Sequence, residues 1–164
     1  MRLFVAIELD DRTRAAVAAA GRSLRFFGDG SFCPEDSYHI TLAFIGESDR
    51  AQDIAAAMES VMHGGFSLSL GDVGHFGSTY YVALQESTAL NAVQGSLCAE
   101  LRKRGFKLDS KPFTPHVTLV RRFEKRGEPV VLVPERSFSV RGMSLMATVS
   151  AGVYRRIHYR SFVG

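Results

Sequence analysis

The stretch His39-Ile40-Thr41-Leu42 returns 77 positions later as His116-Val117-Thr118-Leu119, and Phe4-Val5-Ala6-Ile7-Glu8 returns at the same offset as Tyr81-Val82-Ala83-Leu84-Gln85. Two matches at one spacing, with no net insertion between them, describe an internal repeat. Each unit reads as a strand, a helix, a loop and a second strand carrying His-x-Thr-Leu. Two units are too few for a solenoid, which needs at least three. The expectation is therefore one domain, residues 1–164, built of two repeat-related, pseudo-symmetric lobes.

Working outward from the motifs, hydrophobic periodicity predicts the remaining elements. Leu3–Leu9 reads as a strand, and Asp10 or Asp11 can cap a following helix over Arg12–Phe27, ended by Gly28-Asp29-Gly30. Tyr38–Ile45 reads as a strand, Asp49–Met62 as a helix, Phe66–Leu70 as an alternating strand, and Tyr80–Gln85 as the strand that repeats the first. Between Phe66–Leu70 and Tyr80, Val73–Phe76 is read as a separate short segment, with His75 in a loop. A helix over Ala89–Arg104 places Leu90, Val93, Leu97 and Leu101 on one face, and Gly105 stops it. After His116–Arg122, the segments Val130–Val133, Ser137–Arg141, Met143–Val149 and Val153–Tyr159 read as strands. Strands outnumber helices and several are joined by tight turns. This balance favours an antiparallel α+β fold.

Composition narrows the function. The chain has 164 residues, 46% hydrophobic and 23% charged, enough to bury a core without staples and unlike a disordered chain. The longest N-terminal apolar run, Leu3–Ile7, is too short for a signal core or a membrane span, so a cytoplasmic protein is expected. Cys33 and Cys98 are isolated and offer neither a disulfide framework nor a zinc pattern. The net charge of +3 conceals an asymmetry: residues 1–82 carry 6 Lys and Arg against 11 Asp and Glu, residues 83–164 carry 14 against 6. That imbalance suits an anionic partner on the basic side, where Arg102, Lys103 and Arg104 form one cluster.

The motifs carry the chemistry. Residues i and i+2 of a strand share a face, so His39 with Thr41, and His116 with Thr118, form polar pairs while Ile40, Leu42, Val117 and Leu119 point into the core. A two-fold relation between the lobes brings both pairs into one cleft. With 5 His and 7 Thr in the chain, chance supplies about 0.2 copies of His-x-Thr. Two copies followed by Leu at a shared offset therefore demand a reason. Two opposed imidazoles suit general acid–base catalysis at a phosphodiester, one taking a proton from the attacking oxygen and the other giving one to the leaving oxygen. The threonine hydroxyls can hold the non-bridging oxygens in line. No metal or other cofactor is needed, and neither motif supplies a third ligand at zinc spacing.

At these residues the sequence resembles the 2H phosphoesterase superfamily, and within it the RNA 2′,3′-cyclic phosphodiesterase branch, also called 2′-5′ RNA ligase. The resemblance is carried by Arg2–Ile7, by Pro34–Glu47 around the first motif, and by Phe113–Arg121 around the second. It implies an α+β fold of two pseudo-symmetric lobes, each an antiparallel sheet backed by helices, with the active-site cleft between them, and hydrolysis of a terminal 2′,3′-cyclic phosphate on RNA to a 2′-phosphomonoester without metal. It further implies His39 as proton donor, His116 as proton acceptor, and Thr41, Thr118 and Arg121 as phosphate-binding residues. Strict alternation along the strand instead favours Arg122 on the histidine face, and a bulge after the motif would reconcile the two. Phe44 is expected either to border a nucleobase or to fill the core. The same acid–base pair would serve 2′-5′ ligation, with a 5′-hydroxyl in place of water, and superfamily members also act on small cyclic nucleotides or 2′-5′ oligoadenylates. A module that only binds RNA ends would use arginine or lysine rather than two histidines. RNA ends or cyclic nucleotides are thus the expected partners, and a monomer suffices. The chain departs from the branch in having no Trp, including at Gly77–Tyr81 where one is usual, which bears on substrate preference and leaves the motifs intact.

Overall fold

Residues 3–7 are apolar without a break, and strand β1 (Arg2–Glu8) buries both of its faces at the centre of a sheet. The computed structural model describes residues 1–162. Asp10 caps helix α1 (Asp11–Leu24) by accepting the Thr13 amide at 2.7 Å, and a short 3₁₀ turn over Arg25–Phe27 follows. The chain then runs through β2 (Gly28–Phe32), β3 (His39–Glu47), α2 (Ala51–Glu59), β4 (Phe66–Phe76) and β5 (Thr79–Leu84). It finishes with α3 (Thr88–Lys103), β6 (His116–Lys125), β7 (Ser137–Val140), β8 (Gly142–Ser150) and β9 (Val153–Ser161). Among the described residues no helix is long and apolar enough to cross a membrane.

The strands form two antiparallel sheets, ordered β3-β1-β8-β9 and β2-β6-β5-β4-β7. The predicted α+β architecture stands: each repeat contributes one adjacent antiparallel pair, β1 with β3 and β5 with β6, to a different sheet. The lobes are not the two halves of the sequence, however. β2 and β4 come from the first half yet lie in the second sheet, while β8 and β9 complete the first. The helices cross over as well. α1, from the first half, packs on β6, whereas α3, from the second, packs on β3 beside α2. One continuous apolar cluster joins Val5, Ile40, Leu42, Val117, Leu119, Val82 and Leu145 with the buried faces of all three helices.

Three local expectations are corrected. Gly28–Gly30 is not a helix terminator but the start of β2, which pairs antiparallel with β6. A β-carbon on Gly30 would sit 2.7 Å from Val120 Cγ2, so glycine here permits close strand approach instead of ending a helix. Val130–Val133 is irregular, with Val130 and Leu132 exposed. Pro129 and Pro134 flank it, and proline lacks the amide that a ladder requires. His75 lies on β4, not in a loop, and stacks on Tyr80 at 4.9 Å.

Candidate active site

The two His-x-Thr-Leu strands repeat in three dimensions. Their burial runs in the same order from each histidine, with Ile40, Leu42 and Ala43 buried as Val117, Leu119 and Val120 are. The matching register breaks fall after the threonines. Val5 pairs with Ala43 but Ala6 with Thr41, skipping Leu42; Tyr80 pairs with Val120 but Tyr81 with Thr118, skipping Leu119. Each motif therefore ends in a β-bulge at its leucine, and a bulge re-aims the residues beyond it. It turns Phe44 in one strand and Arg121 in the other away from the buried face. These two residues are themselves 77 positions apart. The bulge is the device that reconciles Arg121 with the alternation favouring Arg122. Immediately after it Arg122 adopts a left-handed φ of 54°.

A central cavity of about 100 Å³ is lined by His39, Thr41, His116, Thr118 and Arg121, with Cys33, Ser37, Tyr38 and Tyr154 completing its wall. The structure thus brings together both histidines, both threonines and Arg121. It leaves Arg122 in an adjoining cavity of about 680 Å³ that also holds Arg2, Phe32 and Phe44. Phe44 is 52% exposed, which rules out the core alternative, and the Arg2 guanidinium lies 5.5 Å from its ring centre. The basic cluster Arg102-Lys103-Arg104 lines none of the cavities described, and Lys103 is paired with Glu100. The arginines around the site are Arg2, Arg121 and Arg122, so one comes from the acidic half of the chain.

Both imidazoles are held the same way. Nδ1 of His39 lies 2.7 Å from the Ser37 carbonyl oxygen, and Nδ1 of His116 lies 2.6 Å from that of Thr114. A carbonyl only accepts, so Nδ1 carries the hydrogen in each ring and Nε2 is left for other work. Nε2 of His39 is 3.0 Å from Thr41 Oγ1, whereas Nε2 of His116 has no hydrogen-bond partner among the described residues. Aromatic rings fix both orientations: Phe4 and Tyr154 stand 4.9 and 5.2 Å from His39, Tyr81 and Phe76 5.0 and 5.4 Å from His116. Phe4 and Tyr81 are repeat mates. Tyr154 and Phe76 were not foreseen, because nothing in their local sequence marks a strand aromatic as a neighbour of a distant histidine.

Electrostatics separate the histidines. Burial pushes the His39 imidazole below its ordinary pKa of 6.5, and the positive charges of Arg121 and His116 push the same way. The Ser37 carbonyl and Glu8, the register partner of His39, oppose this. Arg121 donates to Cys33 Sγ at 3.4 Å, and burial holds that thiol above its usual range, hence neutral. Among the described residues no three His, Cys, Asp or Glu side chains converge as a metal ligand set.

Comparison with known proteins gives the family and the fold. A family model described as the 2′-5′ RNA ligase superfamily matches residues 12–147. The chain is 32% identical over 146 residues to an RNA 2′,3′-cyclic phosphodiesterase of Archaeoglobus fulgidus, covering 85% of this chain and 81% of that one. It is 31% identical over 137 residues to a protein of the same name from Geobacillus stearothermophilus, covering 74% of this chain and only 42% of the relative. Among solved structures, TT0787 of Thermus thermophilus superposes with a TM-score of 0.88 at 25% identity, over 100% of this chain and 99% of that one. E. coli LigT complexed with 3′-AMP superposes with a TM-score of 0.83 at 23% identity, over 99% and 98%. With a family model spanning both His-x-Thr strands and relatives matched across most of its length, the chain belongs to the 2′-5′ RNA ligase superfamily.

Proposed function

We propose that this chain hydrolyses the terminal 2′,3′-cyclic phosphate of RNA to a 2′-phosphomonoester by two-histidine acid–base catalysis. The observation that carries this reading is the convergence of both imidazoles, both threonines and Arg121 on one cavity of about 100 Å³, which suits a phosphoryl group better than a nucleoside. It joins the shared name of four relatives, which are RNA 2′,3′-cyclic phosphodiesterases.

In the mechanism, Nε2 of His116 takes a proton from water as the water oxygen attacks phosphorus. His39, as the imidazolium, gives its Nε2 proton to the departing 3′ oxygen on the opposite side. Thr41, Thr118 and Arg121 hold the non-bridging oxygens, where the guanidinium meets charge that grows in the transition state. The RNA strand runs from the 3′ oxygen into the cavity of Arg2, Arg121 and Arg122, whose cations suit its phosphates. Every one of these groups comes from one chain, so a monomer is the working unit.

The direct test is to incubate the purified protein, with EDTA present, with RNA ending in a 2′,3′-cyclic phosphate and to identify the product end. A 2′-phosphate is the expected product; no turnover sinks the reading. Arg121→Ala should lower kcat/KM about 10- to 100-fold, the weight of a charge-assisted hydrogen bond. Arg122→Ala, outside the central cavity, should cost less than about threefold. Equal losses would remove the distinction that the bulge creates.

The depressed pKa of His39 gives a second test. An acid must be protonated, so in the free enzyme the working fraction of His39 falls as pH rises through a value below 6.5, and kcat/KM falls with it. A bound phosphodiester anion stabilises the imidazolium, so the alkaline inflection of kcat should lie at higher pH than that of kcat/KM. Coincident inflections would mean that no titrating acid faces the phosphate.

A further inference from the structure

The two motif strands repeat in sequence but do not pair with their neighbours in the same register. Thr41 lies opposite Ala6, and His39 lies opposite Glu8, the last residue of β1. Thr118 lies opposite Tyr81, the repeat mate of Phe4 and not of Ala6, so β6 is slid two residues along β5. His116 therefore faces Ala83. Gln85, the mate of Glu8, falls beyond the end of β5, where its side chain donates to the Leu70 carbonyl at 3.1 Å. A slip of two keeps each side chain on its own face. It nonetheless gives one histidine a carboxylate neighbour and the other a methyl group.

Residues directly opposite in an antiparallel pair share a face, with β-carbons about 4.5–5.5 Å apart. Glu8 thus stands on the same face as His39, and its carboxylate is anchored from the two strands beyond. Ser144 of β8 donates to Oε2 at 2.6 Å, and Arg156 of β9 donates to the same oxygen through Nε at 2.9 Å and through Nη2. Oε1 has no hydrogen-bond partner among the described residues. We propose that Glu8 is the residue that makes His39 the acid of the pair: a positioning residue whose charge keeps a proton on the ring it borders, while His116, lacking such a neighbour, is left to accept one. This rests on the hydrolytic reading above; the repeat alone leaves the two roles interchangeable.

The surroundings give Glu8 that influence. Arg121 and His116 of β6 are the cations that act on His39, and among the described residues Glu8 is the sole anion that does. Burial holds the Cys33 thiol and the Tyr38 and Tyr154 phenols above their usual values, so these cavity groups are neutral. Asp10, the next carboxylate along the chain, is committed to Arg136. Burial alone would raise the Glu8 carboxyl. The hydrogen bonds from Ser144 and Arg156, with the charges of Arg156 and of Arg14 on α1, together hold it below the ordinary carboxylate range, so it is an anion at neutral pH. Arg156 lies in the wall of a separate cavity of about 580 Å³ that contains neither histidine, away from the cavities assigned to RNA. Because Arg156 offsets part of the Glu8 charge, the two members of this ion pair should act on His39 with opposite signs.

The test follows both imidazoles by NMR across pH in the ligand-free protein, and in parallel kcat/KM on RNA ending in a 2′,3′-cyclic phosphate. Glu8→Gln removes the anion, leaves Arg156 without its counter-charge and can still accept from Ser144. The His39 midpoint should fall by about 0.5 to 1 pH unit, and kcat/KM above that midpoint by about three- to tenfold. Arg156→Gln should move the midpoint upward, because Glu8 then acts unopposed. Glu8→Asp, which keeps the charge, should hold it near the parent's, and the His116 midpoint should barely move in any of the three. Melting temperatures near the parent's check that each variant is folded. A His39 midpoint unmoved by Glu8→Gln overturns the proposal, and so does a fall in both Glu8→Gln and Arg156→Gln, which loosened packing alone would give. A midpoint that shifts while the alkaline limb of kcat/KM stays in place also overturns it, since the titrating acid is then another group. A parent that titrates as expected yet turns over no cyclic-phosphate RNA instead defeats the hydrolytic reading, and the acid role with it.

Discussion

His39→Ala and His116→Ala are each expected to lower kcat on cyclic-phosphate RNA by about 10²- to 10⁴-fold, the usual worth of a positioned acid or base. Their orientation supports so large a loss. Each ring is pinned through Nδ1 to the carbonyl two residues earlier and braced between two aromatic rings, so Nε2 needs no reorganisation to act. The double variant should be little slower than either single one, because in the proposed mechanism the two groups act as one unit and their losses do not multiply. Melting temperature should change little, since both rings are only part-buried and Val117 and Ile40, not the histidines, fill the core beneath. Turnover within tenfold of the parent in both variants would sink the two-histidine mechanism.

Leu119→Ala should carry the largest stability loss of any change in the motif strands, about 2–5 kcal/mol by the usual cost of emptying a buried leucine site. Leu119 is fully buried, and its Cδ2 lies 3.7 Å from where a β-carbon on Gly21 of α1 would stand, so it bridges the second sheet and its helix. It is also the bulged residue of β6. At about 2–4 °C per kcal/mol for a chain of this size, thermal unfolding should move down by roughly 4–20 °C. Kinetics at low temperature give a further readout: loss of the bulge packing displaces Arg121, raising KM more than the histidine variants do. A shift under 2 °C would mean that the site relaxes around the missing side chain.

The repeat was legible because strand alternation and a shared offset leave a trace that survives without contacts. So were the cap at Asp10, the buried face of α3 and the His-x-Thr pairs, each a local pattern with one physical reading. β2 was not legible, because glycines that admit a close neighbouring strand look the same in sequence as glycines that end a helix. The side to which Arg121 turns depends on a bulge, and a bulge leaves no mark in residue type. An amphipathic helix declares that one face is covered without declaring by which sheet, so the exchange of α1 and α3 could not be read. Val130–Val133 has a strand's composition, but its flanking prolines lack the amide that a ladder requires, and they are the sign against it. The charge asymmetry points to the half that holds Arg121 and Arg122, while Arg102-Lys103-Arg104 of the same half line none of the cavities described, since net charge carries no address.

The exchanged helices bear on how the enzyme fails. α1 ties the first half of the chain to the sheet of His116, and α3 ties the second half to the sheet of His39. Each acts as a strap across the cleft, so widening the gap between the imidazoles would peel a helix from apolar packing that also holds the molecule together. The spacing of the two histidines thus rests on the same contacts as the fold. Heat should abolish activity and structure in one step, with no folded but inactive state on the way.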